Sequence, residues 1–424
     1  MAQSYADVSA VQIEAITPLL TGFFDEEMGL FERFEKIQSK SQSGRNMRMP
    51  IELRPGGTLR AVNLDNGALG TGSGPIYDYQ EMSPVDTVFA LSWSLKSKFT
   101  TDSDQKAVVD TVQRTLASGI EGAKIHVDKH LQTAGMGALA VMTSYSDNGT
   151  ASVCTCANSR GVRLIRVGDQ VTFYSDTTQG THVGTVDPIV TAVDYQAKTF
   201  TVNLATASTG AASTTTVAVG GLTAATPTYI WGLPYHQNNS ATGTWMRWNR
   251  ANYPECRTPT YDAGGNNLTL EAINTLLANL DGELGETVTD TGNWIWYMAP
   301  KQHQQLITLM TMISEIELGS AQKGGNPEVD LTFNRKRQRR LAGFEVVTSI
   351  NADPTRVDFI DTKNWLRGVY KDLAFQKLGG STVLPVPNST SYNATEISYL
   401  IWSQQFAMRN PRRGAYISNL AVPA

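Results

Sequence analysis

The sequence predicts an α+β protein: a long β-hairpin and a long helix, then an inserted all-β unit, then a mixed remainder. Three observations predict it. Val85, Thr87, Phe89, Leu91, Trp93, Leu95 and Phe99 fall on one face of a segment whose other face carries Asp86, Ser92, Ser94, Lys96 and Lys98, the period of two that a half-buried strand requires. Val108, Val112, Leu116, Ile120, Ala123, Val127 and Leu131 recur at three- and four-residue steps, the stripe of a helix with one buried side. Residues 152–231 turn rich in Val and Thr and poor in helix formers, with turn signals every ~8–12 residues, as in a small barrel or sandwich.

Taken in order, residues 1–46 read as an N-terminal arm. Val11, Ala15, Leu19, Phe23, Phe31 and Phe34 recur at helix-like intervals over 7–36, with Pro18 as a break. Asp25, Glu26 and Glu27 precede Arg33 and Lys36, the acid-then-base order that a helix dipole favours. Residues 47–100 form the hairpin, with strands expected at 47–54 and 58–64, a tip at 65–74 that holds four glycines, and the alternating return strand at 85–99. A hairpin this long cannot bury its apolar face alone. Phe89, Leu91, Trp93 and Leu95 are therefore candidates for an interface with another surface.

The spine helix is expected over 104–134, capped by Asp102 or Ser103 and ended by Gly135, in a unit that runs from 101 to 149. At ~1.5 Å per residue it spans roughly 45 Å. Within the insert, placed at 150–232, alternation predicts strands at 163–174, 189–195 and 199–204, a turn at 196–198 and a small polar loop at 206–216. Residues 233–424 carry helical patterns at 268–280 and 301–317, the second opened by Pro300, and apolar runs fit for strands at 293–298, 345–350, 357–360 and 398–408.

The composition narrows the function classes. Of 424 residues, 41% are hydrophobic and 17% charged, against roughly 25% charged in ordinary soluble proteins. A surface this sparse in charge is either polar through Ser, Thr, Asn and Gln or buried against partners. The net charge of -4 gives no global attraction to nucleic acid or anionic membrane. The N-terminus lacks the basic start and apolar core of a signal peptide, and no apolar run approaches the ~20 residues of a membrane span, so synthesis in the cytosol is expected. Cys154, Cys156 and Cys256 are odd in number and fit reduced structural thiols; the first two share a face if their segment is a strand.

No catalytic constellation emerges, and no metal or cofactor site. His126 and His130 are one helical turn apart, but Val127 stands where a zinc-protease pattern needs Glu and no third ligand follows, so surface histidines are expected. Gly70, Gly72 and Gly74 suggest a phosphate loop, yet Pro75 follows and no helix begins there. The basic run Arg335, Lys336, Arg337, Gln338, Arg339, Arg340 admits a solvated face, an intersubunit ion-pair cluster or contact with DNA. An ion-pair cluster would match Arg335, Arg337, Arg339 and Arg340 with Asp25, Glu26 and Glu27 of a neighbouring arm.

The order of these elements resembles the Hong Kong 97-like fold of tailed-bacteriophage major capsid proteins. Three phrases carry the likeness beside the order: Thr-Trp-Met-Arg-Trp-Asn-Arg at 244–250 with the following 254–258; the helix at 268–276 before Trp-Ile-Trp-Tyr-Met-Ala-Pro-Lys-Gln-His at 294–303; and Phe-Ala-Met-Arg-Asn-Pro-Arg at 406–412. The resemblance covers nearly the whole chain. It implies an N-terminal arm, an extended loop, a peripheral domain with the spine helix, an axial domain, and an inserted β domain of the kind many relatives carry. It also implies a head protein that self-assembles through hexamers and pentamers into an icosahedral shell around a phage genome, located in the virion and assembled in the cytoplasm of a host bacterium. The implied partners are the protein itself, scaffolding, portal and decoration proteins, and packaged double-stranded DNA touched non-specifically at the inner surface; no membrane is involved. Scaffolding is expected to be separate or unneeded, because the spine is reached by residue 104. Lys96 and Lys98 sit at the hairpin base, so Lys–Asn cross-linking is not expected. Two rival readings are an encapsulin-like shell around protein cargo and a secreted β-rich carbohydrate-binding or adhesin module.

Overall fold

A computed structural model describes residues 30, 32–38, 47–59, 61, 71–96, 111–147, 149–184, 186–204, 215–289, 292–308, 340–376, 383–387 and 392–422. Strand β1 (Glu35–Gln38) precedes the pair β2 (Met47–Arg54) and β3 (Ile76–Met82), then β4 (Val85–Ser94) and helix α1 (Thr111–His130). Next come β5 (Ala138–Asp147), β6 (Ser152–Cys156), the short helix α2 (Ser159–Leu164), β7 (Val171–Tyr174), β8 (His182–Val183), β9 (Val190–Asp194), β10 (Thr199–Val202) and β11 (Thr216–Val219). One helical turn, α3 (Leu233–His236), leads to the small hairpin of β12 (Thr244–Trp245) and β13 (Trp248–Asn249). The remainder holds β14 (Thr260–Asp262), α4 (Leu270–Leu284), β15 (Trp294–Met298), a helix α5 over 300–308, β16 (Arg340–Leu341), β17 (Phe344–Thr348), β18 (Val357–Asp361), β19 (Trp365–Phe375), β20 (Leu384–Pro387), β21 (Tyr392–Met408) and β22 (Gly414–Ser418).

A six-stranded sheet in the order β14-β22-β18-β15-β17-β16 forms one core. Every residue of β15 and β18 is buried, which suits their unbroken apolar runs. Trp296 and Phe359 meet at 4.4 Å, and α4 covers them with Ala272, Ile273, Leu276 and Leu280. Thr269 caps α4 by accepting from the Ala272 N–H at 3.1 Å, and Gly285 ends it in the left-handed conformation, φ 70°.

The second sheet runs β1-β19-β21-β20, with β4 on β21's remaining edge. Helix α1 lies on its β4 side: a Cβ at Gly119 would sit 2.3 Å from Leu91, and Phe89 lies beside Gly122. The alternation over 85–94 is thus read correctly, but its apolar face packs within its own chain. The hairpin is also shorter than expected: β2 pairs with β3, not β4, and Thr58 and Leu59 are not in a strand. Glu35 and Lys36, expected in a helix, form the parallel strand β1 because Phe34 stacks on Trp365 at 4.9 Å and carries the chain onto β19. Residues 32–34 of the expected arm helix form a turn rather than a helix; the part before residue 30, and the start of the spine before 111, lie outside the described residues. The described spine is 20 residues, about 30 Å; it ends at His130, four residues before the expected boundary.

The inserted unit is a seven-stranded sheet, β8-β7-β11-β5-β6-β10-β9, with its own core of Cys154, Cys156, Phe173, Phe200, Val202 and Val217. It begins at Ala138 rather than at 150, because β5 pairs with both β6 and β11. Its chain returns to the main core before 232: Tyr229 and Leu233 donate to the carbonyls of Gly135 and Leu131, both at 2.7 Å. The strand expected over 163–174 is confined to Val171–Tyr174; residues 163 and 164 close a short helix that Asn158 caps by accepting the Gly161 N–H at 2.9 Å. Cys154 and Cys156 do share the inner face; both are free, and burial pushes their thiols up to about 12. No described helix is long and apolar enough to cross a membrane.

Candidate assembly interface

The β2–β3 arm is fixed at its root and bare at its end. The Tyr370 hydroxyl accepts from Met47 N–H and donates to the Met82 carbonyl, each at 2.6 Å, tying both strands to the second sheet. Burial pushes this phenol up to about 12, so it stays a donor. Gln80 donates to the carbonyls of Met408 and Arg409 at 3.3 and 3.0 Å. The small hairpin β12–β13 grips the middle of the arm. Trp248 Nε1 donates to Asp78 at 2.9 Å, and this bond is the main reason the Asp78 carboxyl is held below its ordinary range. Tyr79 has the guanidinium of Arg247 over its ring at 4.1 Å and that of Arg48 at 4.7 Å. Further out Arg54 pairs with Glu255 at 3.1 Å, the last described contact of the arm with the rest of the chain. All described residues of 55–59 and 71–77 are exposed, including Leu59, Ile76 and Tyr77, the last 70% accessible.

A second bare apolar surface lies on the face of the β4–β21 ladder turned away from α1. Register places Val88 opposite Ile401, Ala90 opposite Tyr399 and Ser92 opposite Ile397. Val88 is 56% exposed, Ala90 is exposed, and Ile397, Tyr399 and Ile401 are partly so. A monomer leaves large exposed apolar patches of this kind mostly where something else will cover them.

The sequence-chosen interface residues fall elsewhere. Trp93 is fully buried and its indole N–H donates to Glu396 at 2.8 Å; Phe89 and Leu91 face α1; Leu95 is half-buried in a helical turn. Asp25, Glu26 and Glu27, and Arg335, Arg337 and Arg339, lie outside the described residues. Arg340 is exposed at the start of β16, opposite Glu345, and Glu345 accepts both Arg33 guanidinium nitrogens at 3.1 and 3.0 Å. At its described end, then, the basic run sits beside the chain's own arm. The described part of that arm is docked: Glu32 pairs with Lys124, Glu35 with Arg409, and Lys36 with Asp372. A 430 Å³ cavity remains between it and the sheet, lined by Phe34, Lys124, Arg367 and Trp402 among others.

His130 is buried and His126 half-buried, so the pair is not the exposed surface pair expected. Their rings lie 4.3 Å apart; His130 is 1% exposed and edge-on to Tyr229 at 4.8 Å. No cluster of three or more metal-ligating side chains occurs among the described residues.

No protein-family model and no curated protein matches the chain. Solved structures do. The cyanophage A-1(L) capsid asymmetric unit contains a chain that aligns over 96% of both chains with a TM-score of 0.53 at 11% identity. The chain shares its fold with this phage-capsid chain. The capsid of a native GTA particle aligns over 96% of this chain and 95% of its own, TM-score 0.49, 11% identity, and that of Myoviridae phage XM1 over 96% and 97%, TM-score 0.48, 9% identity. Within this capsid fold, sequence reasoning missed β3 and the outer β4–β21 face. Pro75 and the mixed run Ile76, Tyr77, Asp78, Tyr79 hide β3's period, and Ile397 to Trp402 is apolar on both faces, so no single exposed side stands out.

Proposed function

We propose that this chain is the major capsid protein of a tailed bacteriophage, a structural protein that self-assembles through hexamers and pentamers into the shell around the phage genome. The observation that carries this reading is the coexistence, on a capsid fold, of an anchored arm with a bare end and a bare apolar sheet face in the same subunit. A subunit whose unsatisfied surfaces complement another copy of itself assembles by burying them. On this reading residues 47–82 are the extended loop, α1 and the β4–β19–β21 sheet the peripheral domain, the six-stranded sheet the axial domain, and 138–219 the insert. The basic run 335–340 and the acids 25–27 of a neighbour's arm are a proposed ionic contact between copies. Portal, scaffolding and decoration proteins are the remaining proposed partners, in virions built in the host bacterial cytoplasm.

Electron microscopy of the purified chain, alone and from cells carrying the phage, tests this. Capsomers or closed shells are expected. A protein that is monomeric in both preparations overturns the reading, and particles filled with protein rather than DNA favour an encapsulin-like compartment instead.

A further inference from the structure

The last turn of α1 carries three polar residues, Asp128, Lys129 and His130, each no more than 2% exposed. Each meets a different part of the chain. Asp128 Oδ1 accepts the Leu30 N–H of the arm at 3.0 Å. Lys129 Nζ donates to the Arg163 carbonyl of the insert at 2.8 Å. His130 faces Tyr229, where the insert's chain returns to the main core, and Tyr229 Oη lies 3.2 Å from His126 Nε2. Neither ring nitrogen of His130 has a hydrogen-bond partner among the described residues. A buried polar group in that state is costly, and charged it is far more so.

We propose that the His126–His130 pair is an acid-operated lock: neutral rings close the junction between spine, arm and insert, and proton uptake in mild acid releases the insert's root from the spine. The surroundings all oppose a proton there. Burial, then Arg166 and Lys129, hold His126 down to about 4; burial, then His126 and Lys129, hold His130 well below its ordinary value. The other charged or titratable groups at the junction each hold a contact of their own. Asp128 serves Leu30, Asp169 of the insert accepts the Arg166 N–H at 2.8 Å, Tyr229 serves His126, and the Tyr297 hydroxyl of β15 accepts from Gln132 at 2.8 Å.

The sign follows from linkage. The open state takes up protons near the ordinary histidine value of about 6.5, whereas the closed His126 refuses them until about 4. The closed state is therefore fully favoured above about 6.5 and loses ground as pH falls from there toward 4. Each histidine contributes about a tenfold rise in the open population per pH unit over that window.

Amide hydrogen exchange on the full chain at pH 7.5, 6.0 and 5.0, corrected for intrinsic rates, reads this directly. Protection at 131–137, 159–166 and 229–233 is expected to fall by at least tenfold between pH 6.0 and 5.0, while β15 and β18 stay protected. In the double variant His126→Phe, His130→Phe, which keeps ring volume without a titrating group, the pH dependence at those segments is expected to vanish; His130→Gln serves as a second variant if the double one does not fold, and is expected to roughly halve the logarithmic slope. An unchanged slope in the variants, or a loss of protection in the wild type that is uniform across the chain, overturns the proposal.

Discussion

The six-stranded sheet and the β2–β3 arm solve opposite problems with the same secondary structure. In β15 and β18 every residue is buried, each backbone edge is paired, and α4 seals one face. The arm has two strands, one clamped root and an end where none of the described residues is covered. Burial stabilises at roughly 25 cal/mol per Å² of apolar surface, so the sheet holds itself together and the arm beyond its root adds almost nothing to its own subunit. The difference teaches that the contacts that stabilise the subunit are concentrated in one region, while assembly, on the proposed reading, falls to the other; mutations separate them.

The largest effect belongs to the sheet. Trp296→Ala removes a fully buried indole that packs 4.4 Å from Phe359 and donates to the Leu341 carbonyl at 3.2 Å. A cavity of that size costs about 3–5 kcal/mol, a large part of a domain's ~5–15 kcal/mol. Denaturant unfolding of the variant should show that loss, and much of the protein should be insoluble when expressed.

The arm's root comes next, because it belongs to both regimes. Tyr370→Phe keeps the ring and removes the one hydroxyl that joins Met47 to Met82. Leaving a buried N–H and carbonyl without that partner costs about 1–3 kcal/mol. Exchange protection should fall in β2 and β3 while β15 and β18 are unchanged. Equal loss in both places would mean that root and sheet form one cooperative unit, and the contrast between them would fail.

The same contrast explains what was legible in the sequence. Self-contained parts were: α4, expected over 268–280 and found at Leu270–Leu284, β15, β18, and the β9–β10 turn announce themselves through local period and turn residues, although the cap residues of α4 went unread and its last turn was missed. Even the faces were right, since Val85, Phe89, Leu91 and Trp93 do point inward. What failed was the choice of partner. An alternating strand states that one side is covered and is silent on what covers it, so β4's cover was assigned to another subunit when it is α1. The histidines misled for the same reason: spacing on a helix does not say how deep the helix lies. The arm strand β1 was lost because its extended form comes from Phe34 stacking on Trp365, a contact 331 residues away in the chain that no local pattern carries.

The smallest effect on the subunit, and the most informative for assembly, lies at the arm's end. Leu59 and Tyr77 touch almost nothing: Leu59 is fully exposed and Tyr77 70% exposed, beyond the last clamp at Arg54, which pairs with Glu255 at 3.1 Å. Leu59→Ser with Tyr77→Ser should leave the unfolding free energy within about 0.5 kcal/mol of the wild type, as exposed substitutions do. In a shell, however, each copy repeats the contact, so a loss too small to register in one subunit multiplies across the lattice. Light scattering and electron microscopy should therefore find soluble, folded subunits that close into shells poorly or not at all. The complementary change Val88→Ser with Ile401→Ser, on the bare β4–β21 face, should give the same phenotype if that face receives a neighbour's arm. Shells at wild-type yield from both variants would show that neither surface is used, and would return the arm to being an exposed loop with no role in assembly.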